Sequence, residues 1–338
     1  MAVKIAINGF GRIGRAFVRA LFDGTGADAD LNIVAINDLG ARDNLRYLLQ
    51  YDSVYGKASD APLAAFDGAQ FLQEKDPAQL PWGNLGIDVV VEATGVFASY
   101  EKAKAHITAG AKRVVISAPV KDDPEEAGVI GATVLMGVNE DKLKTCQITS
   151  NASCTTNAGS PLIGILEEAI GIEKAMLNTV HGYTATQKTV DGPSGKDFRK
   201  GRAAAVNIIP TSTGAAIATT KAHAGLEGKF DGIAIRVPVV CGSIADVTLI
   251  AKRDTSVEEV NEILRTAADS ARWQGLFAVT DEPVVSSDIV GRPEAAIADL
   301  SMTRVVGGNL VKVLAWYDNE MGYAHTLVKH VIEAGRHI

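Results

Sequence analysis

Cysteine is scarce: three residues in 338, Cys146, Cys154 and Cys241, too few and too scattered for a disulfide framework or a zinc site. A reducing compartment follows as the expectation, and with it a cytoplasmic location. No run of about twenty apolar residues is present, and the chain enters a strand-like segment by Val3 without a basic leader or an apolar signal core. A membrane span and an export signal are therefore not expected. Excess basic charge is also missing. With 33 Lys and Arg against 40 Asp and Glu, the net charge is −7, which argues against a broad nucleic-acid-binding surface. There is no internal repeat, low-complexity tract or flexible linker.

Apolar residues are abundant, at 47% of the chain, and 338 residues exceed what one hydrophobic core usually serves, so two domains are expected. Val3 to Ile7 reads as a strand, followed by a glycine turn, a helical pattern through Phe17, Val18, Leu21 and Phe22, and a second strand from Leu31 to Ile36. This is a βαβ unit, and such crossovers imply parallel strands. Further strand candidates are Asp88 to Glu92, Arg113 to Ser117, Val134 to Val138 and Gln147 to Ser150, with a helix from Tyr100 ended by Gly110. Beyond Cys154 the pattern changes. Ala175 to Val180, Ile233 to Val237, Ala245 to Ala251 and Val311 to Tyr317 read as strands with few helices between them, and Ser256 with Glu259 has capping-box spacing. Tyr183 to Ala205 lacks either period and reads as a long ordered loop.

Two segments carry chemistry. Gly9-Phe10-Gly11-Arg12-Ile13-Gly14 matches G-x-G-x-x-G between a strand and a helix, the context in which the glycines permit a tight turn, close approach of a pyrophosphate and close helix-to-strand packing. Asp38 ends the second strand, where a carboxylate accepts from the adenosine ribose hydroxyls and repels a 2′-phosphate, which favours NAD over NADP. The alternative is that Asp38 only caps the following segment. The second segment is Ser150-Asn151-Ala152-Ser153-Cys154-Thr155-Thr156-Asn157, which places a thiol where a strand gives way to a helix continued by Leu162, Ile163, Leu166 and Ile170. The positive end of a helix lowers the pKa of such a thiol and favours the nucleophilic thiolate. Cys146 and Cys241 sit among apolar or small residues and read as packing residues. His181 follows a strand and precedes a glycine, a setting for a general base and ion-pair partner that the other five histidines lack.

Five blocks in order carry a family resemblance over nearly the whole chain: Asn8 to Arg15, Ser150 to Asn157, His181 to Pro193 with Thr184-Ala185-Thr186-Gln187, Ile208 to Ala216, and Tyr317-Asp318-Asn319-Glu320. They resemble the phosphorylating glyceraldehyde-3-phosphate dehydrogenases. That resemblance implies an α/β Rossmann dinucleotide-binding domain over 1–154, an α+β catalytic domain with a mainly antiparallel or mixed sheet over 155–319, and a C-terminal helix over 320–338 packing back on the first domain. NAD, glyceraldehyde 3-phosphate and inorganic phosphate are the implied cofactor and substrates, in a homotetramer with no dedicated nucleic-acid or membrane partner. By the same resemblance Cys154 is the nucleophile and His181 the base. Gly9, Gly11, Arg12, Ile13, Gly14, Asp38, Lys75, Thr94, Gly95, Phe97, Ser117 and Asn319 bind the cofactor. Ser153, Thr155, Thr184, Thr186, Thr213, Gly214 and Arg236 bind two phosphates, with no metal. Leu39 and Pro193 also match the NAD-preferring pattern.

The chain departs from the family pattern at four places. Lys75 stands for an arginine, Val239-Val240-Cys241-Gly242 for a segment with a threonine-proline pair, Ala158 for a second cysteine and Met321 for a tryptophan. Competing readings are an erythrose-4-phosphate dehydrogenase, a thiol hydrolase or acyltransferase built on Cys154 and His181, and a non-catalytic NAD-responsive binding protein.

Overall fold

The first apolar run is the strand Val3–Asn8, buried from Ile5 onward, in a computed structural model that describes residues 2–24, 30–195 and 197–338. It runs parallel to Leu31–Asn37 on one side and to Val89–Glu92 on the other. Seven strands follow the order Gln70–Leu72, Leu31–Asn37, Val3–Asn8, Val89–Glu92, Arg113–Ile116, Ile148–Ser150, Gly131–Thr133, and every pairing is parallel. Parallel strands buried on both faces read as continuous apolar runs, and all four residues of Val89–Glu92 are buried. The chain leaves Val3–Asn8 toward both edges of the sheet. Such a switch point opens a crevice at the carboxyl ends of the strands, where open α/β sheets bind ligands.

The helix Arg12–Leu21 follows the glycine turn and buries Phe17, Val18 and Leu21. Tyr100–Thr108 is capped by Ser99, whose hydroxyl accepts from Lys102 N at 3.2 Å, and gives way at Gly110, where φ is +101°. One expected strand is displaced. Val134 to Val138 is irregular, and the strand is the preceding Gly131–Thr133. Asn139 decides this: its Oδ1 accepts from Leu135 N at 2.8 Å and its Nδ2 donates to Thr133 O at 3.0 Å, turning the chain where the apolar run alone reads as extended.

The chain divides into two units, residues 1–153 with 324–338 and residues 154–323. The helix Met321–Arg336 supplies the last segment of the first unit. There His330 is fully buried, with Nδ1 3.0 Å from Asn151 Oδ1 and Nε2 2.8 Å from Thr149 Oγ1. An amide oxygen only accepts, so Nδ1 carries the proton and Nε2 accepts from the threonine. Burial pulls the ring's pKa down to about 3, so it is neutral and ties the helix to the strand before the cysteine segment.

In the second unit the sheet is mixed. Ile172–Gly182 lies between a parallel neighbour, Phe230–Val237, and an antiparallel one, Ser243–Ala251, and the latter pairs antiparallel with Leu310–Tyr317. Alternate residues of Ser243–Ala251 are buried, as expected for a sheet packed on one face. The helix Cys154–Ile170 contacts this sheet and buries Leu162, Ile163, Leu166 and Ile170. In the helix Val257–Ala268 only half of the capping box forms. Ser256 Oγ accepts from Glu259 N at 3.2 Å, but the Glu259 carboxylate turns instead to Arg253 and Thr255.

Candidate active site and dinucleotide pocket

A pocket of about 720 Å³ opens at the carboxyl ends of Val3–Asn8, Leu31–Asn37 and Val89–Glu92. Gly9, Gly11, Asp38, Lys75, Thr94 and Phe97 line it, together with Leu39 and the strand-end residues Asn8 and Asn37. Gly9 has φ +95°, and a Cβ there would lie 2.6 Å from Thr94 N. A Cβ on Gly14 would collide with the Gly9 carbonyl. Neither position tolerates a side chain, because one holds the turn against the pocket wall and the other holds the helix against the turn.

Asp38 caps the turn that follows it and also lines the pocket. Its Oδ2 accepts from Phe10 N at 2.7 Å and its Oδ1 from Gly40 N at 2.8 Å, while the carboxylate faces the pocket. The two backbone donors fix its orientation, and each oxygen retains a lone pair. Arg12 is paired with Asp52 and lies over the Tyr55 ring at 5.3 Å, and neither it nor Ile13 lines the pocket. Gly14, Gly95 and Ser117 are also outside the lining. Ser117 follows the strand Arg113–Ile116 and donates its N–H to Glu92 O at 2.9 Å.

In the second unit Cys154 begins its helix, and its Sγ lies 3.3 Å from His181 Nε2. His181 is near the end of Ile172–Gly182, beside Arg236 in the parallel register. Its Nδ1 is 2.6 Å from Gly182 O and 2.6 Å from Arg236 Nη1, and Arg236 also donates to Gly182 O at 3.1 Å. These contacts admit two tautomers. With the proton on Nδ1, the ring donates to Gly182 O and leaves Nε2 free to take a proton, the state a base requires. With Arg236 donating to Nδ1, the proton faces the sulfur.

Burial opposes the activation expected of the helix start. Burial pushes the Cys154 thiol up, opposed by Arg236 and by Thr155. Burial first, and the Arg236 cation second, pull His181 down to about 3. A helix start is worth about 0.3–2 kcal/mol and acts against the burial that raises the half-buried Cys154 thiol. Both shifts act in the direction of a thiol beside a neutral imidazole.

The expected phosphate residues separate into groups. Thr184 and Thr186 lie on the turn after the His181 strand, with their hydroxyls 2.9 Å apart. Thr213 Oγ1 accepts from Ala215 N at 3.2 Å and Gly214 is the N-cap of the helix Ala215–Ala222, an arrangement suited to an anion. Thr155 is turned away: it is buried, and its hydroxyl pairs with Tyr317 Oη at 3.0 Å. Ser153 is half-buried immediately before the thiol. Arg199 and Arg202, on the loop after the His181 strand, are engaged by Asp197 and Asp191. Asn319 is buried with its Oδ1 accepting from Ser243 Oγ at 2.8 Å and Gly242 N at 3.1 Å, which leaves its amide nitrogen to donate.

Tyr317 was not anticipated. Its ring meets His181 edge-on at 5.8 Å, and its hydroxyl joins Thr179 at 2.8 Å to Thr155. In a strand of alternating burial it reads as a core residue, and no sequence signal marks its contact with the base. Cys241 is buried as expected, with its thiol donating to Asp318 Oδ1 at 3.1 Å.

Residues 3–100 match the family model described as glyceraldehyde 3-phosphate dehydrogenase, NAD binding domain, and residues 153–319 match that of the C-terminal domain. Relatives named glyceraldehyde-3-phosphate dehydrogenase include one from Streptomyces coelicolor, 44% identical over 100% of both chains. Another, from Mycobacterium avium, is 45% identical over 99% of each. A pocket built by a glycine turn at a parallel-sheet switch point, a cysteine within reach of a histidine, and these matches over both halves together show that the chain belongs to the glyceraldehyde-3-phosphate dehydrogenase family.

Proposed function

We propose that this protein oxidises glyceraldehyde 3-phosphate with NAD and inorganic phosphate to 1,3-bisphosphoglycerate, with Cys154 as nucleophile and His181 as base. The observation that carries this reading is the 3.3 Å approach of Cys154 Sγ to His181 Nε2 in a chain of this family. His181 takes the thiol proton as sulfur attacks the aldehyde carbon, and the resulting alkoxide is protonated to a hemithioacetal. His181 next removes the hydroxyl proton while the carbon gives up a hydride, which leaves a thioester on Cys154. NAD, when bound, accepts that hydride. Phosphate attacks the thioester, and the acyl phosphate departs as the thiol is restored. The Cys154 N–H would help to stabilise the oxyanion in both additions.

The pocket fits a dinucleotide. The Gly9 turn leaves backbone where a Cβ would block close approach, and Asp38 faces the space with its carboxylate held. Gly9 and Gly11 would lie against the pyrophosphate, Asp38, Lys75, Thr94 and Phe97 against the adenosine portion, and Asn319 against the carboxamide. Arg236, Thr184 and Thr186 would hold one phosphate, and Thr213, Gly214 and Ser153 the other. Domain roles follow as 1–154 for the cofactor, 155–319 for catalysis and 320–338 as a helix returning to the first.

A homotetramer in the cytoplasm completes the proposal. Met176 and Ile233 are exposed on the sheet of the second unit, as are Phe198, Val206 and Ile208 on the adjoining loop, apolar side chains that suit contact with further copies. None of the three cysteines is in a disulfide, which suits a reducing compartment. Among the described residues no helix is long and apolar enough to cross a membrane. The deciding assay follows NADH formation from glyceraldehyde 3-phosphate with and without phosphate, and from erythrose 4-phosphate. Phosphate-independent turnover, or preference for the four-carbon sugar, would refute this assignment.

Two substitutions test the binding roles. Asp38→Gly removes the repulsion of a 2′-phosphate together with the tethers to Phe10 and Gly40. NAD affinity should fall and the NADP to NAD ratio of kcat/KM should rise. An unaltered ratio would leave Asp38 a turn residue only. Arg236→Leu should impair glyceraldehyde 3-phosphate at least about tenfold more than unphosphorylated glyceraldehyde, since hydrogen bonds to charged groups are worth about 1.5–3 kcal/mol. Equal losses for the two aldehydes would mean that Arg236 acts through His181, its 2.6 Å neighbour, rather than on substrate.

A further inference from the structure

Beneath the dinucleotide pocket lies a buried polar network for which the reaction described above has no use. Glu92 ends its strand at 1% exposure, and His106 and Trp82 are at 0%. Glu92 Oε1 accepts from Thr94 N at 2.8 Å and from the Thr94 hydroxyl, while Oε2 accepts from Asn8 Nδ2 at 2.6 Å and lies 3.1 Å from His106 Nε2. The Trp82 indole, 3.0 Å from His106 Nδ1, can only donate. His106 Nδ1 therefore accepts, the ring proton is assigned to Nε2, and it is donated to Glu92. On the other side Asn8 Oδ1 accepts from Asn37 Nδ2 at 2.7 Å, and Asn37 Oδ1 accepts from Glu74 N at 2.8 Å.

Each member's orientation is fixed by the next, and Glu92 meets donors on both oxygens. Packing does not require such an arrangement. A carboxylate is costly to bury even when satisfied, and an apolar side chain of similar size would fill the space between sheet and helix as well. What the network reaches is the pocket wall. Thr94 is held by Glu92, and its hydroxyl in turn accepts from Val96 N at 3.0 Å. The Phe97 ring stands edge-on to His106 at 6.4 Å. Thr94 N occupies the place a Gly9 Cβ would need, so a wall shifted by a few tenths of an ångström would close or loosen the turn.

We infer that Glu92 and His106 are positioning residues for the cofactor: they hold the 94–97 wall against the Gly9 turn and so set the affinity for the adenosine portion of the dinucleotide without touching it. The inference rests on the reading of this pocket as the adenosine end of the NAD site. Glu92→Gln replaces one acceptor oxygen by an NH₂ group, which then faces donors already in place. Its NAD dissociation constant, measured by calorimetry, should rise about tenfold or more, with KM for NAD following and kcat at saturating NAD falling far less. Alkylation of Cys154 without NAD should keep its wild-type rate.

His106→Gln retains an amide donor for Glu92 and an acceptor for Trp82, and should bind NAD within a few-fold of wild type; His106→Leu should not. If Glu92→Gln does not fold, the His106 pair decides, and equal NAD affinities for Gln and Leu overturn the inference. So does a folded Glu92→Gln with unchanged affinity, or one that loses kcat and affinity in parallel, as general structural damage would. Asp38→Gly, measured alongside, separates the two readings. Wild-type NAD affinity there sinks the pocket assignment itself, whereas weakened binding there beside unchanged binding in Glu92→Gln sinks only the positioning role.

Discussion

Cys154→Ala should abolish aldehyde oxidation while NAD still binds. The dinucleotide pocket lies in the first unit and the nucleophile in the second, so removing one sulfur leaves every pocket-lining residue in place. No other thiol is positioned to substitute. Cys146 and Cys241 are buried, and the Cys241 thiol is engaged with Asp318. Without a nucleophile there is no hemithioacetal, and a hydrated aldehyde is not held against a base in the same geometry. A pre-steady-state burst of NADH should therefore vanish along with steady-state turnover. Stability should change by no more than about 1 kcal/mol, because the half-buried side chain is small. A surviving burst would exclude the covalent route, and loss of NAD binding would show that Cys154 supports the cofactor site as well.

The second large effect is expected at His181. On the proposed mechanism His181→Asn removes the group that takes the thiol proton and later the hemithioacetal proton, so the chemical step should slow by on the order of 10²–10⁴-fold. Stopped-flow hydride transfer reads this directly. The resting protonation state is tested separately by the pH dependence of Cys154 alkylation. His181 is pulled down and Cys154 pushed up, both chiefly by burial. Below about pH 6.5 the unfolded chain takes up a histidine proton that the folded chain refuses until about pH 3, so that part of the stability is lost as pH falls through this window. Above about pH 8.5 the unfolded thiol ionises first, and stability is lost as pH rises. Between these limits neither shift costs stability. Alkylation without substrate should accordingly climb with pH beyond the ordinary thiol range, and a plateau of rapid reaction between about pH 5 and 7 would establish an ion pair instead.

The chain segments that were legible in advance share one property: their signals are local. The glycine turn, the first βαβ unit, the strand ending at Asp38 and the helix beginning at Cys154 follow from side-chain period and from what glycine alone permits. Val134 to Val138 shows the limit of that logic, since an apolar run has no period to separate a strand from a buried turn, and the turn was decided by Asn139. Half of the capping box at Ser256 failed for a related reason: Glu259 found Arg253 and Thr255 closer to hand.

By itself the sequence marked Cys154 and His181 as candidates and placed the glycine turn between a strand and a helix, because these signals depend on residue type within a few positions of chain. Tertiary structure decided their state. Arg236 sits 55 residues from His181 in the chain and reaches it only because two strands pair in parallel register. Thr155 turns to Tyr317, 162 residues away, instead of toward a phosphate. The thiol's surroundings were set the same way: a helix start is visible in a sequence, but the burial that opposes it is a sum over groups brought together only by folding.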